Sequence, residues 1–349
     1  MSPLEVVVGK VVSGVRLPPS LAEFLPKAIE NAGPRAIIRW VEFFTANIAN
    51  ANTRLSYAKA TSDFFDWLAD YDGIDDVVAV TSLHLATYRE WLVKVPAART
   101  TKKGVKERQR TVATVKQRLS AIRSLFAFLK EGGVIDNDPA AGVKAPRETV
   151  RVGKTPVLSS QDAGKLLSSI EKDTLTGLRD RALIGLMTFS FARISAALAM
   201  KVGDVFYKGD RRWVRLHEKG GKYHEMPCHH VLEEYLGAYL EAGDFEEDAK
   251  GPLFRSLNRK THELDRRPLH RANAWDMVRR RARQAGIKED VCNHTFRGTG
   301  ITTYLENGGE LERAADMANH ADTRTTRLYD RRNKQVTIDD VSRIRIFKR

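Results

Sequence analysis

Residues 204–227 read DVFYKGDRRWVRLHEKGGKYHEMP. The turn signals Lys208-Gly209-Asp210 and Gly220-Gly221 separate short runs in which apolar and polar residues alternate. Alternation with a period of about two marks a half-buried strand, and glycine supplies the backbone freedom of a tight turn. The segment therefore predicts a small antiparallel sheet. On both sides the pattern turns helical. SSQDAGKLLSSI (159–170) and LTGLRDRALIGLMTFSF (175–191) precede it. HHVLEEYLGAYLEAG (229–243), HRANAWDMVRRRARQAG (270–286), TFRGTGITTYLENG (295–308), ELERAADMANH (310–320) and TRTTRLYDRR (323–332) follow it. The expected fold is mainly α with a small antiparallel β-sheet.

Further upstream the apolar residues recur every three or four positions. PRAIIRWVEFFTANI (34–48) puts Ile37, Ile38, Val41, Phe44 and Ile48 on one face, with Pro34 in the first turn. ANTRLSYAKATSDFFDWLADYDG (51–73) has an Asn or Thr cap, then Leu55, Ala58, Phe65 and Leu68. TSLHLATYREWLVKV starts with Thr81 or Ser82 as cap. TVATVKQRLSAIRSLFAFLKEGG carries Val115, Leu119, Ile122, Leu125, Phe126 and Leu129 and ends at Gly132-Gly133. These four helices predict a helical domain over residues 34–143, after an irregular leader at 1–33. A basic linker broken by Pro and Gly occupies 144–156, a second, α+β domain 157–335, and a tail 336–349.

The chain has 349 residues, 42% hydrophobic and 29% charged, so it can build cores and is not globally disordered. Its net charge of +14 points to a polyanion, with nucleic acid the leading partner. Two cysteines exclude a disulfide framework and fit a reducing compartment. No signal-peptide pattern opens the chain and no window is apolar enough to span a membrane, so a cytoplasmic, nucleoid-associated protein is expected. Arg99, Lys102, Lys103, Lys106, Arg108, Arg110, Lys116, Arg118 and Arg123 face a single acid, Glu107. The first half of this run, ARTTKKGVKERQR, reads as a loop and the second as a helix face that could follow a DNA backbone. Lys144 and Arg147 in the linker, and RRRAR at 279–283, repeat the theme. Trp67, Trp91, Trp213 and Trp275 sit in apolar patterns and read as core residues. His229 and His230 beside Cys228 are adjacent and so lack metal-ligand geometry; no metal and no cofactor is expected.

One set of residues suits phosphodiester chemistry. The pentavalent phosphorus needs its negative charge stabilised, the nucleophile must lose a proton and the leaving oxygen must gain one. Two arginines can fork onto the non-bridging oxygens, a tyrosine can attack to form a phosphotyrosine, and a lysine can protonate the leaving 5′ oxygen. Arg193, Lys219, His294, Arg297, His320 and Tyr329 supply these groups, with Tyr329 nine positions after His320. The sequence resembles the tyrosine recombinases of the integrase family, which includes phage integrases and the Xer recombinases. The resemblance rests on RDRALIGLMTFSFARISAALAMKVGDV, EKGGK, HTFRGTGITTYLENG and MANHADTRTTRLYDR, and on NTRLSYAKATSDFFDWL and TVKQRLSAIRSLFAFLKEGGVIDNDPAAGVKAPR for a core-binding, SAM-like domain.

That resemblance implies that Arg193 and Arg297 grip the scissile phosphate and that Lys219 is the general acid, with Lys222 the weaker alternative. It implies that His294 is the base or proton shuttle, that His320 hydrogen-bonds the phosphoryl oxygen, and that Tyr329 holds the 3′ phosphate. It also implies a C-shaped clamp on duplex DNA bearing an inverted-repeat core site. The chain would be a monomer in free solution and a homotetramer that exchanges strands through a Holliday junction, for integration, excision, transposition or resolution. The alternatives are a type IB topoisomerase-like nicking-closing enzyme and a catalytically degenerate DNA-binding regulator. Three positions depart from the family pattern. Ala196 stands where an acid usually supports the first arginine, TFSFAR lacks the glycine often found before it, and ANH replaces a glycine before the second histidine. The tail, with Val336, Ile338, Val341, Ile344 and Ile346 as apolar anchors, is expected to dock on a neighbouring protomer.

Overall fold

The computed structural model describes residues 11–101, 104–147, 153, 155–217, 223–245, 248–258, 260–261, 263–332 and 341, with the backbone alone at 99–101 and 106. The chain divides into two compact units, Met1–Thr149 and Val150–Arg349.

The first unit is helical. It opens with a short hairpin, β1 (Val11–Val12) and β2 (Val15–Arg16), and two short helices, α1 (Pro19–Ala22) and α2 (Lys27–Asn31). Then come α3 (Pro34–Thr45), α4 (Ala51–Asp72), α5 (Ser82–Lys94), a hairpin of β3 (Ala97–Thr101) and β4 (Gly104–Arg108), and α6 (Val112–Glu131). Pro34 sits in the first turn of α3, where its missing N–H costs nothing. Asn50 caps α4 by accepting from the N–H groups of Asn52 and Thr53, and Gly73 closes that helix in the left-handed region. In α6 the expected stripe of Val115, Leu119, Ile122, Leu125, Phe126 and Leu129 is buried throughout. It packs on Phe64, Phe65 and Tyr88, whose rings meet edge-on or tilted at 5.0–6.0 Å.

Three expectations are corrected here. The leader, read as irregular with room for one short helix at 17–33, carries a hairpin and two short helices in its described part, and Val12, Leu17, Leu21, Ala28 and Ile29 are buried in the same core as the long helices. Their spacing between prolines and glycines has no single period, so no pattern announces them. The segment ARTTKKGVKERQR holds a β-hairpin, paired from Ala97↔Arg108 to Thr101↔Gly104, and not a loop. Most of its residues are polar, so the sequence lacks the alternation by which a half-buried strand is read. In α3 the buried face turns through Trp40 and Phe43 and leaves Ile38 exposed.

The second unit is α+β. It contains α7 (Ser160–Ser168), α8 (Leu175–Phe189), α9 (Ile194–Ala199), β5 (Val205–Lys208), β6 (Arg211–His217), β7 (Tyr223–Pro227) and α10 (His230–Gly243). It continues with β8 (Arg255–Leu257), β9 (Leu264–Pro268), α11 (Arg271–Gln284), α12 (Asn293–Glu306), α13 (Leu311–Met317) and α14 (Thr323–Arg327). The sheet that residues 204–227 predict is present, in the order β5-β6-β7 and antiparallel. Val214, Leu216 and Met226 form its buried face. The β8–β9 hairpin carries too few apolar residues to be read from pattern.

Helix α8 runs through the middle of this unit and buries an ion cluster. Asp180, 0% exposed, accepts from Arg179 Nη2 at 2.7 Å, Arg281 Nε at 3.0 Å and Arg280 Nη2 at 3.3 Å, which ties α8 to α11. Removing one partner of such a buried cluster costs roughly 3–5 kcal/mol, because the remaining charge is left uncompensated. Among the described residues, no helix is long and apolar enough to cross a membrane.

Candidate active site

Four elements of the second unit converge on one site. Arg193 stands at the N-cap of α9 in extended backbone. His294 and Arg297 lie one turn apart on α12, so both project to the same side. His320 follows α13, and Tyr329 follows α14.

Arg297 is 2% exposed, and its fork is held by backbone carbonyls. Nη1 donates to the Phe191 carbonyl, and Nη2 donates to the Ala318 carbonyl at 2.7 Å. Nη2 also meets His320 Nε2 at 2.6 Å. Arg193 Nη2 reaches the Asn319 carbonyl at 3.4 Å. Ala196 is buried and brings no carboxylate, and both guanidinium groups donate to main-chain oxygens.

Two of these carbonyls come from left-handed turns. Phe191 has φ +52° and Asn319 φ +45°. Asn319 ends α13 in a Schellman closure: its N–H bonds the Asp316 carbonyl, and the His320 N–H bonds the Ala315 carbonyl, both at 2.9 Å. Asparagine is among the non-glycine residues best suited to that conformation. Phe191 is not, and its ring is buried with Ile301, Leu305, Ala314 and Ala318, which holds the turn. The two glycines missing from the expected pattern thus correspond to two turns that keep the glycine-like conformation without glycine.

The histidines are tuned downward. Burial, and then the charges of Arg297 and Arg193, push His320 down to about 4. His294, at the rim of the site, is lowered by partial burial first and then by Arg297, Arg271 and Arg193. The His320 and Tyr329 rings lie nearly parallel, with centroids 6.4 Å apart. The Tyr329 backbone is held on three sides. Thr302 Oγ1 donates to the Tyr329 carbonyl at 3.0 Å, and the Tyr329 N–H bonds the Thr326 carbonyl at 2.9 Å. The Gly153 N–H bonds the Leu328 carbonyl at 2.9 Å. The tyrosine ring passes over Gly298, where an added Cβ would come within 3.1 Å of Tyr329 Cε1.

Lys219 and Lys222 lie outside the described residues; the strands that flank them, β6 and β7, pair up to His217↔Tyr223. Most of the expected tail anchors lie outside them as well. Among the described residues no group of three or more His, Cys, Asp or Glu side chains could hold a metal ion.

The basic residues sort into two kinds. Arg108, Lys116, Lys144 and Arg147 are exposed, and Arg123 is half-buried. Arg118 instead pairs with Asp63 at 2.7 Å, and Arg110 lies 4.6 Å over the Trp91 ring and bonds the Val95 carbonyl. Lys102 and Lys103 are outside the described residues, and of Arg99 and Lys106 only the backbone is described. On α11, Arg281 points inward to Asp180, whereas Trp275, expected in the core, is 41% exposed with Arg279 stacked 4.6 Å from its ring. Arg271, Thr326, Gly298, Phe191 and Asn319 belong to this neighbourhood and were not anticipated. Only the two missing glycines signalled any of them.

Residues 156–336 match the model of the phage integrase family. The chain belongs to the phage integrase family. It is a tyrosine-type DNA recombinase. It is 26% identical to the tyrosine recombinase XerD of Oceanobacillus iheyensis over 284 residues, 80% of this chain and 86% of the relative. To XerD of Corynebacterium glutamicum it is 28% identical, covering 80% and 87%. The fold is similar to that of the XerH site-specific recombinase bound to difH substrate, with a TM-score of 0.61 at 19% identity over 89% of this chain and 84% of that one. It is also similar to a lambda integrase dimer bound to a COC′ core site, with a TM-score of 0.62 at 14% identity over 86% and 97%.

Proposed function

We propose that this recombinase cuts one strand of duplex DNA by attack of the Tyr329 hydroxyl on a phosphodiester. The Oη–P bond forms and the P–O5′ bond breaks, leaving a 3′-phosphotyrosine and a 5′ hydroxyl; the reverse reaction with a new 5′ hydroxyl rejoins the strand. The observation that carries this reading is the convergence of Arg193, His294, Arg297, His320 and Tyr329 at one site. The arginines neutralise the non-bridging oxygens, His294 takes or relays the tyrosine proton, and His320 donates to a phosphoryl oxygen. Lys219 protonates the leaving 5′ oxygen. Arg108, Lys116, Arg123, Lys144 and Arg147 contact the phosphate backbone.

The target is a core site of inverted repeats. A homotetramer assembles on two such sites and passes through a Holliday junction, with the tail at 336–349 docked on the neighbouring protomer. The protein works on nucleoid DNA in the cytoplasm, and the bond energy kept in the adduct makes a nucleotide cofactor unnecessary.

A nicked suicide substrate tests the reading. Wild type is expected to form a covalent adduct and Tyr329→Phe none, with DNA binding retained. Two cognate duplexes should then yield a junction. Absence of an adduct on every cognate site defeats the reading, and an adduct without junctions reduces the chain to a nicking-closing enzyme.

A further inference from the structure

Thr326 is 0% exposed, and its hydroxyl lies 2.8 Å from His320 Nδ1. On the other edge of the ring, His320 Nε2 faces Arg297 Nη2 at 2.6 Å. A guanidinium has only donors, so Nε2 accepts. A ring that accepts at Nε2 and carries one proton carries it on Nδ1, and Thr326 Oγ1 must be the acceptor of that bond. Burial and the neighbouring arginines, which push His320 down to about 4, keep the ring neutral near pH 7.

The role of His320 proposed above requires the opposite arrangement, with a proton on Nε2 aimed at a phosphoryl oxygen. In that state Nδ1 accepts. A threonine hydroxyl can serve both states, because rotation about its Cβ–Oγ1 bond turns it from acceptor to donor. We infer that Thr326 is a positioning residue that keeps the His320 ring plane fixed while the ring exchanges tautomers, accepting from Nδ1 in the DNA-free protein and donating to it when phosphate replaces Arg297 at Nε2. The ring carries one proton in each of the two states: in the exchange Nε2 takes a proton from solvent and Nδ1 gives one back to it. The same residue accepts the Tyr329 N–H on its carbonyl at 2.9 Å, so the ring and the nucleophile take their register from one buried side chain and its backbone.

This inference rests on the proposed role of His320, and the test separates the two. Histidine-labelled full-length protein, read by nitrogen-15 NMR without DNA, should show His320 as the Nδ1–H tautomer. With a nicked substrate, Thr326→Val should lower the cleavage rate about ten- to hundredfold at unchanged DNA affinity, and Thr326→Ser should restore it to within a few-fold. An Nε2–H tautomer in the free wild type overturns the inference. So does a folded Thr326→Val that cleaves within about twofold of wild type. If that variant fails to fold, the wild-type tautomer and the serine variant decide. A wild type that forms no adduct sinks the role of His320, while the NMR result still decides the Thr326–His320 pairing.

Discussion

At the residue scale the site depends on two turns that a propensity table disfavours. Phe191 and Asn319 both adopt positive φ, and both offer their carbonyls to an arginine. They differ in what keeps them there. Asn319 tolerates the conformation locally, so Asn319→Gly should leave stability unchanged or raise it by up to about 1 kcal/mol, with cleavage retained. Phe191 is held by packing, so Phe191→Gly should relax the backbone yet lose roughly 2–4 kcal/mol on balance, because a buried ring is removed. It should also slow cleavage, because the carbonyl that orients Arg297 is no longer fixed. Urea unfolding and suicide-substrate rates measure both. The departures from the family pattern are legible in the sequence; that main-chain oxygens accept from both arginines is not, because carbonyl direction is a tertiary property.

At the element scale α6 has two polar tasks on one helix. Its apolar stripe is read directly from spacing, since a 3.6-residue period leaves no other buried face. Its basic residues are indistinguishable in sequence, yet Lys116 is exposed whereas Arg118 is paired with Asp63 of α4. Lys116→Ala should therefore weaken DNA binding, reduce the salt slope by about one and leave the melting temperature alone. Arg118→Ala should lower the melting temperature, with a smaller change in salt slope, because it leaves a half-buried Asp63 without its partner. Equal salt slopes and equal melting temperatures for the two variants would contradict the division. The same logic separates Arg281, turned in on Asp180, from Arg279 beside it on α11.

At the scale of the whole molecule, two partly shielded imidazoles link folding to pH. His320 is held near 4 and His294 below its ordinary value, both by burial first. Between the ordinary histidine value of 6.5 and about 4 the unfolded chain binds protons that the folded chain refuses. Folding stability should therefore fall as pH drops through that window, and the loss should be smaller in His320→Gln; urea midpoints measured between about pH 7 and 4.5 give the slopes. The fold class, the α6 stripe and the small antiparallel sheet follow from the sequence alone, and the sequence offers the six candidate groups. Period and residue type are local properties, and the chemistry of phosphoryl transfer restricts which groups can serve it. The tertiary structure alone decided that the leader belongs to the first core, that the basic run contains a hairpin, which arginines point inward, and that Thr326 lies between His320 and Tyr329. Each of these depends on which surfaces meet after the chain has folded, and neither spacing nor propensity records that.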